Sequence, residues 1–396
     1  MSFLSDVLGW LLVSAFALTG AAFIVETFLG LLPARPTLAA NDDEHPRSAV
    51  VLIPAHNEAA IIGQMLSSLK EHLPPGTRLL LVADNCSDGT ASAARSAGID
   101  VIERNDPVRR GKGYALEFGR THLRASPPEA VIVMDADCAM DRRSIGRLVD
   151  VSVTLQSPAQ AKNLLEPNLG AAPMVQISNF AFMVKNHVRQ LGASRLGAAA
   201  VLTGTGMAFP WAIFEEMKFS GGSVEDLDLT VELIGAGLEP VFVPDATVLS
   251  EPAGPSAAVM QRDRWERGFL SAARTASLPL FKQFLQSRRL SLLWLGLHLL
   301  TPPLALLILL ASLSTVLLAL LHIFAGMSSG PLVVQVSFLL VIAALTGASW
   351  ARAGREYVAL STLFKIPLYI LWKLPIYVRM LTGAERRWNR TDRTKG

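Results

Sequence analysis

Two aspartates stand one residue apart at the end of an apolar run. Asp135 and Asp137 follow Val131-Ile-Val-Met134, which has the composition of a buried strand, so both carboxylates are expected in the loop at its end. Carboxylate oxygens are preferred ligands of Mg²⁺ and Mn²⁺, and such an ion could bind a diphosphate at its remaining positions. The alternative is a pair of turn or helix-capping aspartates, because Asp-x-Asp is a short and common pattern.

Carboxylates also follow two earlier apolar runs. Glu58 lies in Pro54-Ala-His-Asn-Glu58, and Asp84 begins Asp84-Asn-Cys-Ser-Asp-Gly-Thr90. At a strand end, a carboxylate could accept hydrogen bonds from a nucleobase imide or from ribose hydroxyl groups. An Asx turn followed by a helix N-cap is the competing interpretation, and for Asp88 it is the favoured one.

Lys112 stands between two glycines where the next helix is predicted to begin. In Arg110-Gly-Lys-Gly113 its cation would lie at a helix N-terminus, where backbone N–H groups and the helix dipole favour a phosphate. An exposed cationic loop explains the same residues equally well.

Val224-Glu225-Asp226 precedes an amphipathic helical pattern. One of these carboxylates could act as a general base that takes the proton from an attacking hydroxyl group. Acidic residues in the first turn of a helix are also common because they complement the helix dipole, so a structural role is the alternative.

Gln261, Arg264 and Trp265 have the spacing of one helix face. This face would present an amide, a guanidinium that could bind a diphosphate, and a ring on which a sugar or base could stack. An Arg/Trp anchor at a membrane interface is the alternative.

The elements that would position these residues alternate between strands and helices. Strands are predicted at 48–54, 77–83, 100–103 and 130–134, and helices at 57–70, from Asp88, and at 112–123. This alternation predicts an α/β fold with a mostly parallel sheet, in which ligands bind beyond the carboxyl ends of the strands. The chain has no Gly-x-Gly-x-x-Gly after the first strand and no P-loop, which disfavours dinucleotide-binding and ATPase functions.

Uncharged stretches predict where the chain meets a membrane. Residues 7–25 and the 62 residues from Leu290 to Ala351 contain no Asp, Glu, Lys or Arg. Because a span needs about 20 apolar residues, spans are expected at 7–32, 301–324 and 331–350. The first is interpreted as a retained anchor, since no basic residue precedes it and its apolar run is longer than that of a signal peptide.

The segment 357–382 is apolar but contains three cations and two prolines, which suits an amphipathic helix lying on the membrane. Cations follow the first predicted span and the third, and the tail 383–396 is strongly basic. The positive-inside rule therefore places the domain after the first span, and the tail, in the cytoplasm. The predicted organisation is an anchor at 1–34, a cytoplasmic catalytic domain at 47–287, two spans within 290–351, the interfacial segment and the tail.

Composition agrees with a membrane protein. Hydrophobic residues make up 51% of the 396 residues and charged residues only 17%, which is less than the quarter or so that is usual for soluble proteins. The net charge of +3 is too small to indicate a nucleic-acid partner. Two cysteines are too few for a disulfide framework.

Taken in order, the motifs resemble those of the family 2 membrane glycosyltransferases, over about residues 48–270. The family includes inverting enzymes related to the cellulose, hyaluronan and poly-N-acetylglucosamine synthases, and its fold is GT-A, a Rossmann-like α/β fold. The motifs that carry the resemblance are Pro-Ala-His-Asn-Glu, Ala-Asp-Asn-Cys-Ser-Asp-Gly-Thr, Arg-Gly-Lys-Gly, Asp-Ala-Asp, Val-Glu-Asp and Gln-Arg-Asp-Arg-Trp.

The resemblance implies a role for each matching residue. Glu58 and Asp84 would contact the donor nucleoside, and Lys112 would lie near the donor nucleotide. Asp135 and Asp137 would hold the donor diphosphate through Mg²⁺ or Mn²⁺. Asp226 would be the base. The remaining matches are donor contacts by Arg264 and acceptor contacts by Gly204, Thr205, Glu225, Gln261 and Trp265.

These implications predict a membrane-anchored inverting hexosyltransferase that uses a UDP-sugar and a lipid-linked or glycan acceptor, in exopolysaccharide or glycoconjugate synthesis. Its partners would be the nucleotide sugar, the acceptor and membrane lipid, with no nucleic acid. The alternatives are a processive polysaccharide synthase, a glycolipid synthase of the ceramide-glucosyltransferase type, and an inactive membrane scaffold that keeps the nucleotide-sugar fold.

Overall fold

The computed structural model describes residues 2–33, 47–219, 225–251 and 255–381. The chain divides into two compact units. The α/β unit comprises Pro33–Glu166 and Ala199–Glu251, and the helical unit comprises Met1–Leu32, Pro167–Ala198 and Pro252–Gly396. Two stretches of the predicted 47–287 domain, Pro167–Ala198 and residues 252–287, therefore belong to the helical unit. The basic tail lies outside the described residues.

Helices and strands are numbered along the whole chain. The helical unit contains α1 Ser2–Leu31, α6 Pro173–Met183, α7 Gln190–Arg195, α10 Pro255–Ser287, α11 Leu290–Leu300, α12 Leu304–Ala325, α13 Ser329–Ser349, α14 Leu360–Leu363 and α15 Ile366–Leu381. Two π-helical stretches, Val184–Arg189 and Trp350–Gly354, continue α6 and α13. The α/β unit contains β1 Ala49–Ala55, α2 Ile62–Glu71, β2 Thr77–Asp84, α3 Thr90–Ser96, β3 Asp100–Arg104, α4 Lys112–Leu123, β4 Ala130–Val133, β5 Cys138–Ala139, α5 Arg142–Leu155, β6 Ala159–Leu165, β7 Met207–Pro210, α8 Trp211–Glu216, α9 Glu225–Ala236 and β8 Val241–Ser250.

Among the described residues, eight strands form one sheet in the order β3-β2-β1-β4-β7-β6-β8-β5. The first four strands of this order are parallel, and β8 is parallel to β6. Strand β7 is antiparallel to β4 and β6, and β5 is antiparallel to β8. The prediction of a mostly parallel α/β sheet of the GT-A type is confirmed.

Alternate residues of the central strands enter two separate cores, one on each face of the sheet. Val51 and Ile53 of β1 pack with α2, α3 and α5, whereas Val50 and Leu52 pack with α4, α8 and α9. All four side chains are fully buried. Because both faces are covered by helices, these strands are continuous apolar runs in the sequence, which is the pattern that predicted them.

The predicted strands and the helix at 112–123 agree with the structure to within one or two residues, but the predicted helix at 57–70 begins later. Asn57 stands at the predicted start, where asparagine is a favoured N-cap, whereas α2 begins at Ile62. Asn57 has a φ of 54°. Its side-chain amide donates to Ser87 Oγ at 3.0 Å and accepts from the Ser87 N–H at 2.7 Å. The side chain therefore ties two loops together and is not a cap.

In the described part of the helical unit, three helices are long and apolar enough to cross a membrane: Phe3–Leu31, Leu304–Ala325 and Ser329–Gly354. They coincide with the three predicted spans to within a few residues. Val13 of α1 packs with Leu318 of α12 and Met327 of the following turn, and Asp6 accepts a hydrogen bond from the Ser328 N–H at 2.7 Å. These contacts join the three helices into one bundle.

Helix α15, within the predicted interfacial segment, has an exposed apolar face and a buried cation. Leu368, Leu371, Trp372 and Val378 are exposed, whereas Lys373 is buried and forms an ion pair with Glu266 of α10. A helix with its apolar side outward and its charge inward has the polarity of a lipid-facing surface.

Candidate active site

The carboxyl ends of β1, β2 and β4 lie at one edge of the sheet because these strands are parallel and neighbouring. His56 follows β1, Asp84 ends β2, and Asp135 follows β4 by two residues. His56 Nδ1 lies 2.6 Å from the backbone oxygen of Asp84, which links the first two strand ends. The sheet thus brings the motifs of three separate sequence segments to the edge where ligands bind in α/β folds.

The Asp84 carboxylate is held by Arg104, at the end of the adjacent strand β3, and by the next residue in the chain, Asn85. Arg104 Nη1 donates to Asp84 Oδ1 at 2.6 Å, and the Asn85 side-chain amide donates to the same oxygen at 3.0 Å. Arg104 is also in cation–π contact with Tyr114, 5.6 Å from the ring centre. None of the sequence motifs singles out Arg104, although it follows the predicted third strand directly and lies opposite Asp84 in the parallel register.

The loop after β1 is fastened to the loop after β2. The Glu58 N–H donates to Thr90 Oγ1 at 2.8 Å, and the Ala59 N–H donates to Asp88 Oδ2 at 3.1 Å. Asp88 Oδ1 accepts from the Thr90 N–H at 3.0 Å, which is the predicted Asx turn. The N-cap residue of α3 is Gly89, so the prediction that Asp88 is the cap is wrong by one residue. The side chain of Glu58 is half-buried, at the same edge of the sheet as Asp84.

Asp135, Asp137 and Cys138 each offer one potential ligand atom, and these atoms lie within 4.8 Å of one another. Burial, and then the charges of the two aspartates, raise the pKa of the Cys138 thiol. The thiol therefore stays protonated, in contact with Ser250 Oγ at 3.1 Å. Two half-buried carboxylates remain as ligands, which fits a hard divalent ion such as Mg²⁺ or Mn²⁺ that keeps positions for phosphate oxygens.

Lys112 joins the aspartate pair to the loop 203–206. Its ammonium forms an ion pair with Asp135 and donates to the backbone oxygen of Gly204 at 2.6 Å. Burial disfavours the charged ammonium, but the nearby carboxylates of Asp135 and Asp226 outweigh this effect and raise the pKa of Lys112. The side chain of Lys112 is consequently protonated at neutral pH.

Gly204 has a φ of 84°, a backbone conformation that favours glycine. A Cβ at this position would lie 3.6 Å from Asp226 Oδ2 and 3.8 Å from Lys112 Nζ. The missing side chain thus leaves a space that is bordered by the predicted base and by the lysine. The structure brings together Lys112, Asp135, Gly204 and Asp226, which the sequence holds far apart.

Thr205, predicted to contact the acceptor, is buried. Its hydroxyl group accepts a hydrogen bond from the Asp135 N–H at 3.1 Å and lies 3.4 Å from Cys138 Sγ. The threonine therefore orients the aspartate loop, and a direct acceptor contact by this residue stays a prediction.

Asp226 lies in the first turn of α9 and is half-buried. The next turn supports its backbone, because Thr230 Oγ1 donates to the Asp226 carbonyl oxygen at 2.8 Å. The side chain of Glu225 and the whole of Val224 lie outside the described parts of the structure.

Gln261, Arg264 and Trp265 lie on α10 in the helical unit, where the predicted helix is present. Trp265 stacks on Phe182, with ring centres 5.2 Å apart and an angle of 29° between the rings. Arg264 is exposed. The neighbouring Arg262, to which sequence analysis gave no role, donates hydrogen bonds to Ser178 and to Asn179 Oδ1, the latter at 2.6 Å.

Comparison with known proteins relates the chain to glycosyltransferases. A probable glycosyltransferase of Bacillus subtilis, YdaM, is 28% identical over 251 residues, which is 59% of this chain and 57% of that protein. A 4,4'-diaponeurosporenoate glycosyltransferase of Staphylococcus aureus is 32% identical over 100 residues, which is 24% of this chain and 26% of that protein. The similarity thus spans little more than half of the first relative and about a quarter of the second.

Among solved structures, a mannosyltransferase of Pyrobaculum calidifontis in complex with GDP-Man and Mn2+ has a similar fold, with a TM-score of 0.55. The superposition covers 96% of this chain and all of that one, at 18% sequence identity. The model of the family described as "Glycosyltransferase like family 2" matches residues 46–268, which contain every motif discussed above. The chain belongs to this glycosyltransferase family.

Proposed function

We propose that the protein transfers a sugar from a UDP-sugar to a lipid-linked acceptor, with inversion at the anomeric carbon. The observation that carries the proposal is the convergence of Lys112, Asp135 and Asp226 around Gly204 at the carboxyl edge of the sheet. This arrangement sets a carboxylate that can take a proton beside groups that can hold a diphosphate, and both are needed for transfer from a nucleotide sugar.

Asp84 and Arg104 support a uracil base. Both hydrogen bonds from Arg104 and Asn85 end on Asp84 Oδ1, so Oδ2 is the oxygen that a base can use. Uracil needs one carboxylate oxygen for its single imide N–H, whereas guanine presents two adjacent N–H donors that suit a bidentate carboxylate. The donor of the Pyrobaculum mannosyltransferase is GDP-Man, and GDP-sugars are therefore the alternative donors to test.

The acceptor hydroxyl group would attack the anomeric carbon in line with the departing diphosphate. Asp226 would take the proton of this hydroxyl group as the new bond forms. Lys112 would oppose the negative charge that develops on the leaving diphosphate. Asp135 and Asp137 would hold Mg²⁺ or Mn²⁺, and the ion would supply further positive charge at the same phosphates. For Gln261, Arg264 and Trp265, contacts with donor and acceptor stay predictions from the family resemblance.

The apolar helices support an acceptor that is dissolved in the membrane. The described residues include three helices able to cross a bilayer, and α15 exposes Leu368, Leu371, Trp372 and Val378 as a further lipid-facing surface. An enzyme held in this way meets lipid-linked acceptors at high local concentration. A role in exopolysaccharide or glycoconjugate synthesis follows from this acceptor class.

We place the α/β unit and the tail in the cytoplasm, on the positive-inside rule. A cysteine introduced at Thr394 should resist an impermeant thiol reagent in intact cells and react after lysis. Reaction in intact cells, above that of the parent chain with Cys86 and Cys138, would show that the segment 357–382 crosses the membrane.

The decisive experiment is an assay of membranes that contain the protein against a panel of UDP- and GDP-sugars, with the lipid products identified by mass. A glycolipid with one added sugar, formed only with a UDP-sugar, is expected. Products of many masses would indicate a processive polysaccharide synthase, and a ceramide product would indicate a glycolipid synthase of that type. Metal-dependent nucleotide binding without any product would indicate an inactive scaffold.

A further inference from the structure

The ammonium of Lys112 interacts with two carboxylates, Asp135 and Asp226, which have different roles in the proposed reaction. Lys112 forms its ion pair with Asp135, one of the two proposed metal ligands. Asp226, the proposed base, borders the same space at Gly204 and adds to the field that holds Lys112 charged. A divalent ion bound to Asp135 would therefore lie beside the ammonium of Lys112.

This proximity opposes metal binding. An ammonium that stays bonded to Asp135 would repel a divalent cation bound to the same carboxylate, strongly so in a half-buried site. The ion pair also competes directly for the oxygen atoms of Asp135 that the ion would need. Metal alone is consequently expected to bind weakly, unless something draws the ammonium away.

The side chain of Lys112 is able to change its anionic partner. Lys112 is the first residue of α4 and follows Gly111, which has a φ of 131°. A lysine ammonium is a compact charge on four flexible carbons, so it can exchange one anionic partner for another without movement of the backbone. A nucleoside diphosphate carries more negative charge than one carboxylate and is a stronger partner at a helix N-terminus.

We propose that Lys112 is an exchangeable counter-cation, which neutralises Asp135 until a nucleoside diphosphate arrives and then transfers to the phosphates, so that metal ion and nucleotide bind cooperatively. The inference rests on the proposed function, because it assumes that a nucleoside diphosphate and a metal ion share this site. By linkage, the factor by which UDP strengthens Mn²⁺ binding must equal the factor by which Mn²⁺ strengthens UDP binding.

The test compares Mn²⁺ binding to the full-length protein in detergent, by electron paramagnetic resonance, with and without UDP, corrected for the Mn²⁺–UDP complex in solution. The wild type should bind Mn²⁺ at least tenfold more tightly with UDP. Lys112→Met keeps the length of the side chain and removes its charge. It should bind Mn²⁺ alone about tenfold more tightly than the wild type, and UDP should then strengthen binding much less.

Lys70→Met is the matched control, because Lys70 is an exposed lysine of α2 that bonds the backbone oxygens of Ala97 and Gly98. It should behave as the wild type. Lys112→Gln is the second neutral variant, in case Lys112→Met does not fold. Equal Mn²⁺ affinity with and without UDP in the wild type, or no gain in the neutral variants, would overturn the inference and leave the proposed function standing. If the wild type bound neither UDP nor Mn²⁺ in any combination, both would be overturned.

Discussion

Arg104 and Asp84 end two neighbouring parallel strands and meet in a buried ion pair, with Arg104 Nη1 2.6 Å from Asp84 Oδ1. Burial of two charges is costly unless they are paired and hydrogen-bonded. The pair presents a carboxylate acceptor and a guanidinium donor side by side, which complements the N–H and C=O groups of an imide. In the proposed function, this ion pair at the sheet edge would also contribute to recognition of the base.

Asp84→Asn should weaken UDP binding by about 10- to 100-fold, since a hydrogen bond to a charged group is worth about 1.5–3 kcal/mol. Isothermal titration with UDP measures the change. Glu103→Gln is the matched control, because Glu103 lies one residue before Arg104 and forms an exposed ion pair with Arg95. If Asp84→Asn bound UDP as tightly as the control, Asp84 would have no contact with the base and the argument for uracil would be lost.

Metal dependence is expected to act through Asp137 as well as Asp135. EDTA should abolish sugar transfer, and added Mn²⁺ or Mg²⁺ should restore it, because Lys112 alone supplies too little positive charge to stabilise the leaving diphosphate. Asp137→Asn should lower turnover and raise the metal concentration needed for half of the maximal rate. Asp141→Asn is a suitable control, because Asp141 caps α5 by accepting the Ser144 N–H and is not one of the proposed ligands. Full activity in EDTA would contradict the metal role.

The first half of the sheet could be predicted from the sequence because each strand is buried on both faces. Runs such as Val50–Ile53 and Val131–Val133 are continuous and apolar, and polar residues mark their ends. Local pattern alone was sufficient there, and it also located α4 at Lys112–Leu123. Once the strands were located, the motif residues at their carboxyl ends, such as Asp84 and Asp135, could be placed as well.

Contacts between distant residues could not be predicted in this way. Asn57 has the sequence signature of a helix cap, but its bonds to Ser87, 30 residues away, hold it in the left-handed region. Arg104 gains its role only from the register that sets it opposite Asp84. Lys373 is a cation in an apolar segment, and its burial depends on Glu266, which lies 107 residues earlier. Each of these outcomes depends on a partner that no local pattern specifies.

Glu26 is expected to be essential for the stability of the helical unit. Arg189 Nε donates to Glu26 Oε2 at 2.7 Å, His298 Nδ1 lies 3.1 Å from Glu26 Oε1, and all three side chains are buried. Glu26→Gln should destabilise the unit by about 3–5 kcal/mol, because it leaves a buried guanidinium without its counter-charge. Unfolding in mixed detergent micelles, followed by circular dichroism, measures the change.

Adding Arg189→Met to Glu26→Gln should recover much of this loss, because an apolar replacement of a whole buried pair is often close to neutral. Arg195, which donates hydrogen bonds to the backbone oxygens of Leu29 and Leu32, remains in place in both variants. A double variant as unstable as the sum of the two single variants would mean that the charges do not act as a pair.

Asp226→Asn should leave UDP binding nearly intact while it removes most turnover. The amide has almost the size of the carboxylate but cannot accept a proton at neutral pH, and general base catalysis is typically worth about 10²- to 10⁴-fold. A loss of that size is expected in UDP release per enzyme, measured with donor and acceptor present. Glu225 is the alternative base, and Glu225→Gln should lose less turnover, because two adjacent residues in the first turn of a helix point in different directions and only one of them can take the proton of the acceptor. If Glu225→Gln lost turnover and Asp226→Asn kept it, the base would be Glu225; if both kept turnover, Val-Glu-Asp would be only the start of α9 and the proposed mechanism would fail.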